Sequence, residues 1–270
     1  MDMMEAIRVR RSVRSFDGRP LTPEDRAALL ALAETTRNPY GLPVRFALLD
    51  GAENGLSSPV IVGASHWLAG KLPRTPHAEE AFGFAFETLL LRAVALGLGT
   101  VWLAGTLSRG AFEAAMALEA GEVLPCVSPV GYPAKKMSLR EQLMRKGTGA
   151  ETRLPFETLF FDGSFDQPLS PAAAGELAPL LEAVRRGPSA VNRQPWRVVR
   201  DGDWLHFFEK SSRGYADKSG WDLQKVDLGI ALCHFALAAE ALGRRVSFSL
   251  EAPALPLPNG IRYIASYLLS

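Results

Sequence analysis

Gly187-Pro188-Ser189-Ala190-Val191-Asn192-Arg193-Gln194-Pro195-Trp196 sets small polar side chains between two prolines, directly after a helical pattern. Proline fixes φ at its own position and pushes the residue before it away from helical geometry. Gly187 and Gln194 are therefore expected to be extended, and the segment between them stiff. A stiff loop carrying Ser and Asn is suited to holding a ligand. The same residues also suit a plain connection, with Gly187 just past a helix and Trp196-Arg197-Val198-Val199 forming a strand. On this stretch alone the plain connection is the simpler reading, and a second stretch decides between them.

That second stretch lies near the N-terminus. Arg8, Arg10, Arg11 and Arg14 crowd into residues 8–14, and within them Arg10-Arg11-Ser12-Val13-Arg14 is a cluster of donors with no nearby carboxylate expected to neutralise it. Guanidinium groups are planar, permanently charged donors that match a phosphate two bonds at a time. The alternative is a solvated basic surface, or arginine complementing a helix C-terminus. Residues 135–146 form another basic run, Lys135, Lys136, Arg140, Arg145 and Lys146 against the one acid Glu141. Both runs call for an anion or for solvent.

Bulk composition narrows the classes. The chain has 270 residues, 47% of them hydrophobic, enough for a large core in one or two domains. Thirty basic side chains against twenty-nine acidic ones leave a formal charge of +1, which gives no reason to expect nucleic acid or an anionic membrane as partner. Met1-Asp2-Met3-Met4-Glu5 carries charges where a signal peptide needs an apolar run, and the apolar stretch 82–104 is interrupted by Glu87 and Arg92. Cys126 and Cys233 sit singly in apolar surroundings, as buried thiols do in a reducing compartment. A cytoplasmic protein is expected.

Taken in order, residues 2–10 read as a short helix, followed by an extended run with Val13 and Phe16 as buried anchors. Thr22-Pro23-Glu24-Asp25 opens a helix to about Glu34: a capping hydroxyl, proline at the first helical position, then acids. Residues 44–49 and 59–64 are short and β-like, and 77–96 form a long helix. Residues 100–104 are a strand, Ser108 caps a helix to about Leu118, 123–132 are β-rich, and 138–144 are a short helix. Residues 146–169 read as a crossing connection and the domain boundary. The second half then repeats the first. Pro20-Leu21-Thr22-Pro23 returns as Pro168-Leu169-Ser170-Pro171, Phe16-Asp17-Gly18 as Phe161-Asp162-Gly163, and Leu42-Pro43-Val44-Arg45 as Gln194-Pro195-Trp196-Arg197. The spacing of Gly83 and Gly97 is kept by Gly229 and Gly243. Four matches in one order indicate a duplication, with halves 1–150 and 151–270.

The pairing of the two stretches resembles the FMN-dependent nitroreductase family, in which an Arg-x-Ser-x-Arg/Lys motif meets a Pro-Ser-x-x-Asn-x-Gln-Pro-Trp loop from the partner subunit of a homodimer. Arg10, Ser12 and Arg14 match the first motif, and Pro188, Ser189, Asn192, Gln194, Pro195 and Trp196 the second. Ala95-Leu96-Gly97-Leu98-Gly99-Thr100-Val101-Trp102-Leu103-Ala104-Gly105 and Val130-Gly131-Tyr132-Pro133-Ala134-Lys135-Lys136 also look like family segments, so the likeness spans essentially the whole chain. It implies an α+β fold: two halves, each a mainly antiparallel sheet flanked by helices, packed as an intrachain pseudo-dimer. Here the two motifs lie in different halves of one polypeptide. One FMN is therefore expected per chain, at the interface of the halves, in a monomer, with further dimerisation left open. The second site is expected to be dead, with Phe156-Glu157-Thr158-Leu159-Phe160-Phe161 in place of arginines and Thr36-Arg37-Asn38-Pro39-Tyr40 in place of the Pro-Ser loop.

The resemblance also assigns roles. Arg10, with Arg11 beside it, and Ser12 would take phosphate and ribityl, and Arg14 the N1/O2 edge of the flavin. Ala104, Gly105 and Thr106 would face N5, and Lys135, Lys136 and Arg140 would form a second phosphate clamp. Pro188, Ser189, Ala190 and Asn192 would form the opposite wall. NAD(P)H is the implied hydride donor and a small aromatic, quinone or nitro compound the acceptor, in a ping-pong scheme with no protein acid, base or nucleophile. The alternatives are a flavin-binding protein without reductase turnover and, from the basic N-terminus, a nucleic-acid module, which the near-zero net charge disfavours. Gly97-Leu98-Gly99 follows a helix and lacks the third glycine of a dinucleotide loop. His66, His77, His206 and His234 lack metal-ligand spacing. Tyr215, Lys218 and Trp221 precede the last long helix and either gate a pocket or cover a core edge.

Overall fold

The chain divides into two compact units, Met1–Ala150 and Glu151–Ser270, and the computed structural model describes residues 1–138, 141–142, 147, 152–215 and 221–270. In unit 1, Asp2 accepts the Glu5 amide and starts α1 (Met3–Val9). Thr22 accepts the Asp25 amide and starts α2 (Pro23–Thr35), with Pro23 where a missing N–H costs nothing. The sheet contains β1 (Arg45–Asp50), β2 (His66–Pro73), β3 (Gly99–Thr100), β4 (Glu122–Val123) and β5 (Val127–Gly131). Their order is β1-β2-β5-β3, with β4 on β2, and every pair is antiparallel.

Helices cover both faces of this sheet. α3 (Ala78–Ala95) sets Phe86 on Phe46, ring centroids 5.8 Å apart, and on Trp102 at 4.8 Å. Phe46 pairs across the strands with Gly70, where a Cβ would lie 2.6 Å from the Phe46 ring. Trp67, three residues from Gly70, points to the other face. There it meets Phe112 of α4 (Arg109–Ala115) edge-on at 5.2 Å, in a cluster with Leu103, Leu124 and Val127.

Unit 2 contains β6 (Phe160–Asp162), β7 (Ser164–Pro168), β8 (Trp196–Asp201), β9 (Trp204–Lys210), β10 (Val246–Ser249) and β11 (Ile261–Leu269). Their order is β10-β11-β9-β8-β6-β7. β6 and β8 run parallel, and the other pairs are antiparallel. Ser170 accepts the Ala173 amide ahead of Pro171, the same helix opening as Thr22-Pro23. The helix Ala178–Arg185 leads to the 187–196 stretch, and its Ala183 carbonyl is bonded at 2.9 Å to His234 Nδ1 of the long helix Leu223–Ala241. Each unit is thus a mainly antiparallel sheet flanked by helices, the expected α+β architecture.

Several sequence expectations need correction. Residues 59–64 form no strand; the strand is β2, whose Gly70, Lys71 and Pro73 obscure it. Lys71 is buried because its ammonium reaches Glu122 Oε2 at 2.6 Å and the Ala117 carbonyl at 2.8 Å. The β-run at 123–132 is two strands, β4 and β5, and the 100–104 strand is only β3 with a further bridge between Leu103 and Val127. Ser108 stands at the N-cap of α4 as expected, but its hydroxyl bonds Ser57 and makes no cap bond. The connection at 146–169 contains a helical turn, Phe156–Leu159, and then β6 and β7, of which β6 pairs with distant β8 and β7 with β6. The helix expected at 138–144 lies largely outside the described residues, as do Arg140 and Lys218. Cys126 and Cys233 are buried and form no disulfide. Among the described residues, no helix is long and apolar enough to cross a membrane, and no cluster of His, Cys, Asp and Glu could hold a metal.

Candidate functional site

The arginine-bearing segment is woven into unit 1. Ser12 bridges Thr100, Ser15 bridges Val62 and Phe16 bridges Pro133. The Val13 amide donates to the Thr100 carbonyl at 2.9 Å, the Val62 amide to the Arg14 carbonyl at 2.9 Å, and the Phe16 amide to the Val62 carbonyl at 2.8 Å. Two glycines allow this approach: a Cβ on Gly99 would lie 2.8 Å from Val13, and one on Gly63, at φ 78°, would lie 2.4 Å from the Phe16 carbonyl oxygen. Val13 and Phe16 are buried as expected, while Arg10, Ser12 and Arg14 are half-buried on a backbone fixed on both sides.

Arg11 departs from the expectation of an unneutralised cluster. Its Nη1 donates to Glu141 Oε1 at 3.3 Å, and that carboxylate side chain is 1% exposed. The partner lies 130 residues away, so local sequence gives no sign of it, and part of the Arg11 charge is met inside unit 1.

The same segment gathers the second basic run. The Ser15 carbonyl accepts the Ala134 amide at 2.9 Å, and its hydroxyl oxygen accepts the Ser138 amide at 3.1 Å. Residues 134–138 are thereby pinned beside the arginine segment, with Lys135 and Lys136 exposed; Arg140 lies outside the described residues. From β3, on which Ser12 rests, the chain pairs Leu103 with Val127 in both directions and then turns away from the sheet. Arg109 holds that turn, donating to the Ala104 carbonyl at 2.6 Å and the Leu124 carbonyl at 2.7 Å. Gly105 and Thr106 are exposed. A Cβ on Gly105 would meet no atom within 4 Å, and its φ lies outside the left-handed range. Nothing in the fold of unit 1 demands glycine there.

In unit 2 the 188–194 loop is held by many bonds and bent against its own preferences. Val191 (φ 50°, ψ 30°), Asn192 (φ 56°) and Gln194 (φ 50°) are all left-handed, a region costly for a β-branched residue. Gln194 is therefore not extended, contrary to the expectation from Pro195. Its side chain explains the departure: buried to 2% exposure, it accepts the Leu154 amide at 3.0 Å and donates to Asn192, while its own amide donates to Ser189 Oγ at 2.9 Å. Asn192 Nδ2 donates to the Thr152 carbonyl at 3.1 Å. The Ala190 amide donates to both carboxylate oxygens of Asp227, at 3.0 and 3.1 Å. Arg193 Nε donates to the Tyr215 hydroxyl at 2.9 Å. Arg197 Nη1 donates to the carbonyls of Gln194 (3.1 Å) and Trp196 (2.6 Å); burial pushes this guanidinium down to about 10.

Arg197 and Asp227 are the residues that sequence reasoning left out of the site, while Gln194 was read as part of the loop motif without its anchoring bonds. Asp227 had a signal, a carboxylate inside the apolar run Val226-Asp227-Leu228-Gly229-Ile230. The corresponding loop of unit 1 is built differently. Asn38 spends its carboxamide on its own loop, donating to the Leu42 carbonyl at 2.7 Å and accepting the Leu42 amide at 3.3 Å. Arg37 bonds the carbonyls of Glu34 and Thr36.

Comparison with known proteins bears on this arrangement. Curated protein sequences give no match. Among solved structures, a "putative nitroreductase" from Thermotoga maritima is similar at 21% identity with a TM-score of 0.65, over 100% of this chain and 93% of that one. An oxidoreductase containing FMN is similar at 19% identity with a TM-score of 0.50, over 61% of this chain and 92% of its own. Both likenesses concern the fold. At the level of sequence, the family model described as "Putative TM nitroreductase" matches residues 2–239, and the chain belongs to that nitroreductase family.

Proposed function

We propose that the chain binds one FMN per monomer and acts as an NAD(P)H oxidoreductase, passing hydride in a ping-pong scheme to a small aromatic, quinone or nitro acceptor. The observation that supports this best is the backbone network of unit 1 that ties the arginine segment to β3, the Lys135-Lys136 run to the arginine segment, and the chain leading to the Gly105 turn to β5. The donor set fits the cofactor. Half-buried guanidiniums on a fixed backbone suit a phosphomonoester, and Gly105 offers backbone with open space where a flat ring could approach closely.

When bound, FMN supplies a nitrogen, N5, that accepts and donates hydride. The residues of this chain position it. Arg10 and Ser12 would hold phosphate and ribityl, with Lys135 and Lys136 as further phosphate partners. Arg14 would place a fixed positive charge at the N1/O2 edge and so favour the reduced cofactor. The backbone at residues 104–106 would face N5. From unit 2, the 188–192 loop is the segment that the family resemblance assigns to the same cofactor.

Flavin stoichiometry with anaerobic reduction tests the reading. Purified protein should be yellow, hold one FMN per chain and bleach on addition of NAD(P)H. Two FMN per chain, or a colourless protein that cannot be reconstituted, would overturn it. Yellow protein that does not bleach would leave a flavin-binding protein without reductase turnover.

A further inference from the structure

We propose that Asp227 positions the 188–194 loop for the cofactor, an inference that rests on the FMN reading above. Asp227 is 4% exposed, and both of its carboxylate oxygens are directed at one backbone group, the Ala190 N–H. A carboxylate in an apolar helix is costly to bury unless it is bonded, and here the bond goes to the loop. Burial pushes this carboxyl upward, Asp222 adds to that, and the Ala190 N–H opposes it.

The loop needs such an anchor. Left-handed geometry at Val191, Asn192 and Gln194 persists only where the surroundings impose it. The Gln194–Ser189 and Gln194–Asn192 bonds are internal to the loop, those to Thr152 and Leu154 reach the segment ahead of the helical turn Phe156–Leu159, and Arg193 and Arg197 tie the loop to Tyr215 and β8. Asp227 supplies the attachment to the long central helix. It also defines what Ala190 can do: with its N–H committed to Asp227 and its carbonyl accepting the Arg193 amide at 3.2 Å, Ala190 offers a ligand its methyl group.

Unit 1 provides an internal comparison. Matching Gly83 and Gly97 to Gly229 and Gly243 sets Ala81 opposite Asp227 in the duplicated helix, and Ala81 is fully buried. The loop of that unit, at 36–42, has no left-handed residue except Gly41. The acid and the strained loop are present together in one unit and replaced together in the other.

The test uses the full chain with Asp227→Ala and Asp227→Asn. FMN affinity is measured by flavin fluorescence, and loop order in FMN-free protein by hydrogen exchange of peptides covering 188–194 and, as reference, β8–β9. Asp227→Ala leaves the Ala190 N–H without its acceptor. It should weaken FMN binding by on the order of tenfold or more and speed exchange in the loop while β8–β9 stays protected. Asp227→Asn keeps an acceptor oxygen and should restore affinity to within a few-fold of the native protein. Native affinity and native exchange in Asp227→Ala would overturn the inference while leaving the FMN reading intact. Lost protection throughout unit 2 would also overturn it, by making Asp227 a core residue. Native protein that takes up no FMN would sink both.

Discussion

Replacing Gly105 by alanine should separate the fold from the site. The protein's own atoms leave space around a Cβ at this position, with none within 4 Å, and the backbone is not left-handed. Alanine therefore meets no clash and narrows the unfolded ensemble, which stabilises by about 0.4–1 kcal/mol where the conformation is compatible. For a chain of this size that corresponds to a rise in melting temperature of roughly 1–4 °C. If residues 104–106 face the flavin, the same methyl group occupies space that the ring needs, and affinity should fall about tenfold, near 1.4 kcal/mol. Leucine should lower it further with the same tolerance in the apoprotein. Urea unfolding of FMN-free protein and flavin titration read the two effects separately. A stability loss of more than about 1 kcal/mol would refute the open geometry, and native FMN affinity in both variants would refute the cofactor-facing assignment.

Two further outcomes are expected. Arg14→Ala should weaken FMN binding and lower the flavin reduction potential, with Arg14→Lys in between; a potential unchanged in spectroelectrochemical titration would remove Arg14 from the N1/O2 edge. Glu209 is fully buried, and its carboxyl is pushed up first by burial and then by the charge of Asp222, against Ser211, Arg262 and Lys225. A carboxyl whose folded value lies above its unfolded one favours the folded state below the unfolded value, and that contribution is lost as pH rises through the folded value. Glu209→Gln should therefore gain stability relative to the native protein as pH is raised through that window, and a difference in urea midpoint that does not vary with pH would contradict it.

Much of the candidate site could be proposed from sequence because its signals are local. An arginine cluster, a loop between two prolines and a glycine after a strand can each be read within a few residues, and each bears on charge or backbone freedom. What escaped was held by distant partners. Glu141 meets Arg11 across 130 residues, and Asp227 meets Ala190 across 37. Gln194 shows the competition directly. The proline after it favours extended backbone, yet its buried carboxamide and the Ser189 hydroxyl draw it into the left-handed region.

The sequence by itself determined the helix starts at Thr22 and Ser170, the long duplicated helices, the repeat of the two halves and the two stretches that define the family. Capping, periodicity and spacing are short-range properties written in consecutive residues. Only the tertiary structure decided that β2 is the buried strand despite Gly70 and Lys71, that β6 and β7 join the second sheet, and that Asp227 holds the strained loop. In each case the stabilising partner, the Phe46 ring, Glu122, β8 or the Ala190 amide, is brought near by the fold, and a buried strand or charge has no signature until its partner is in place.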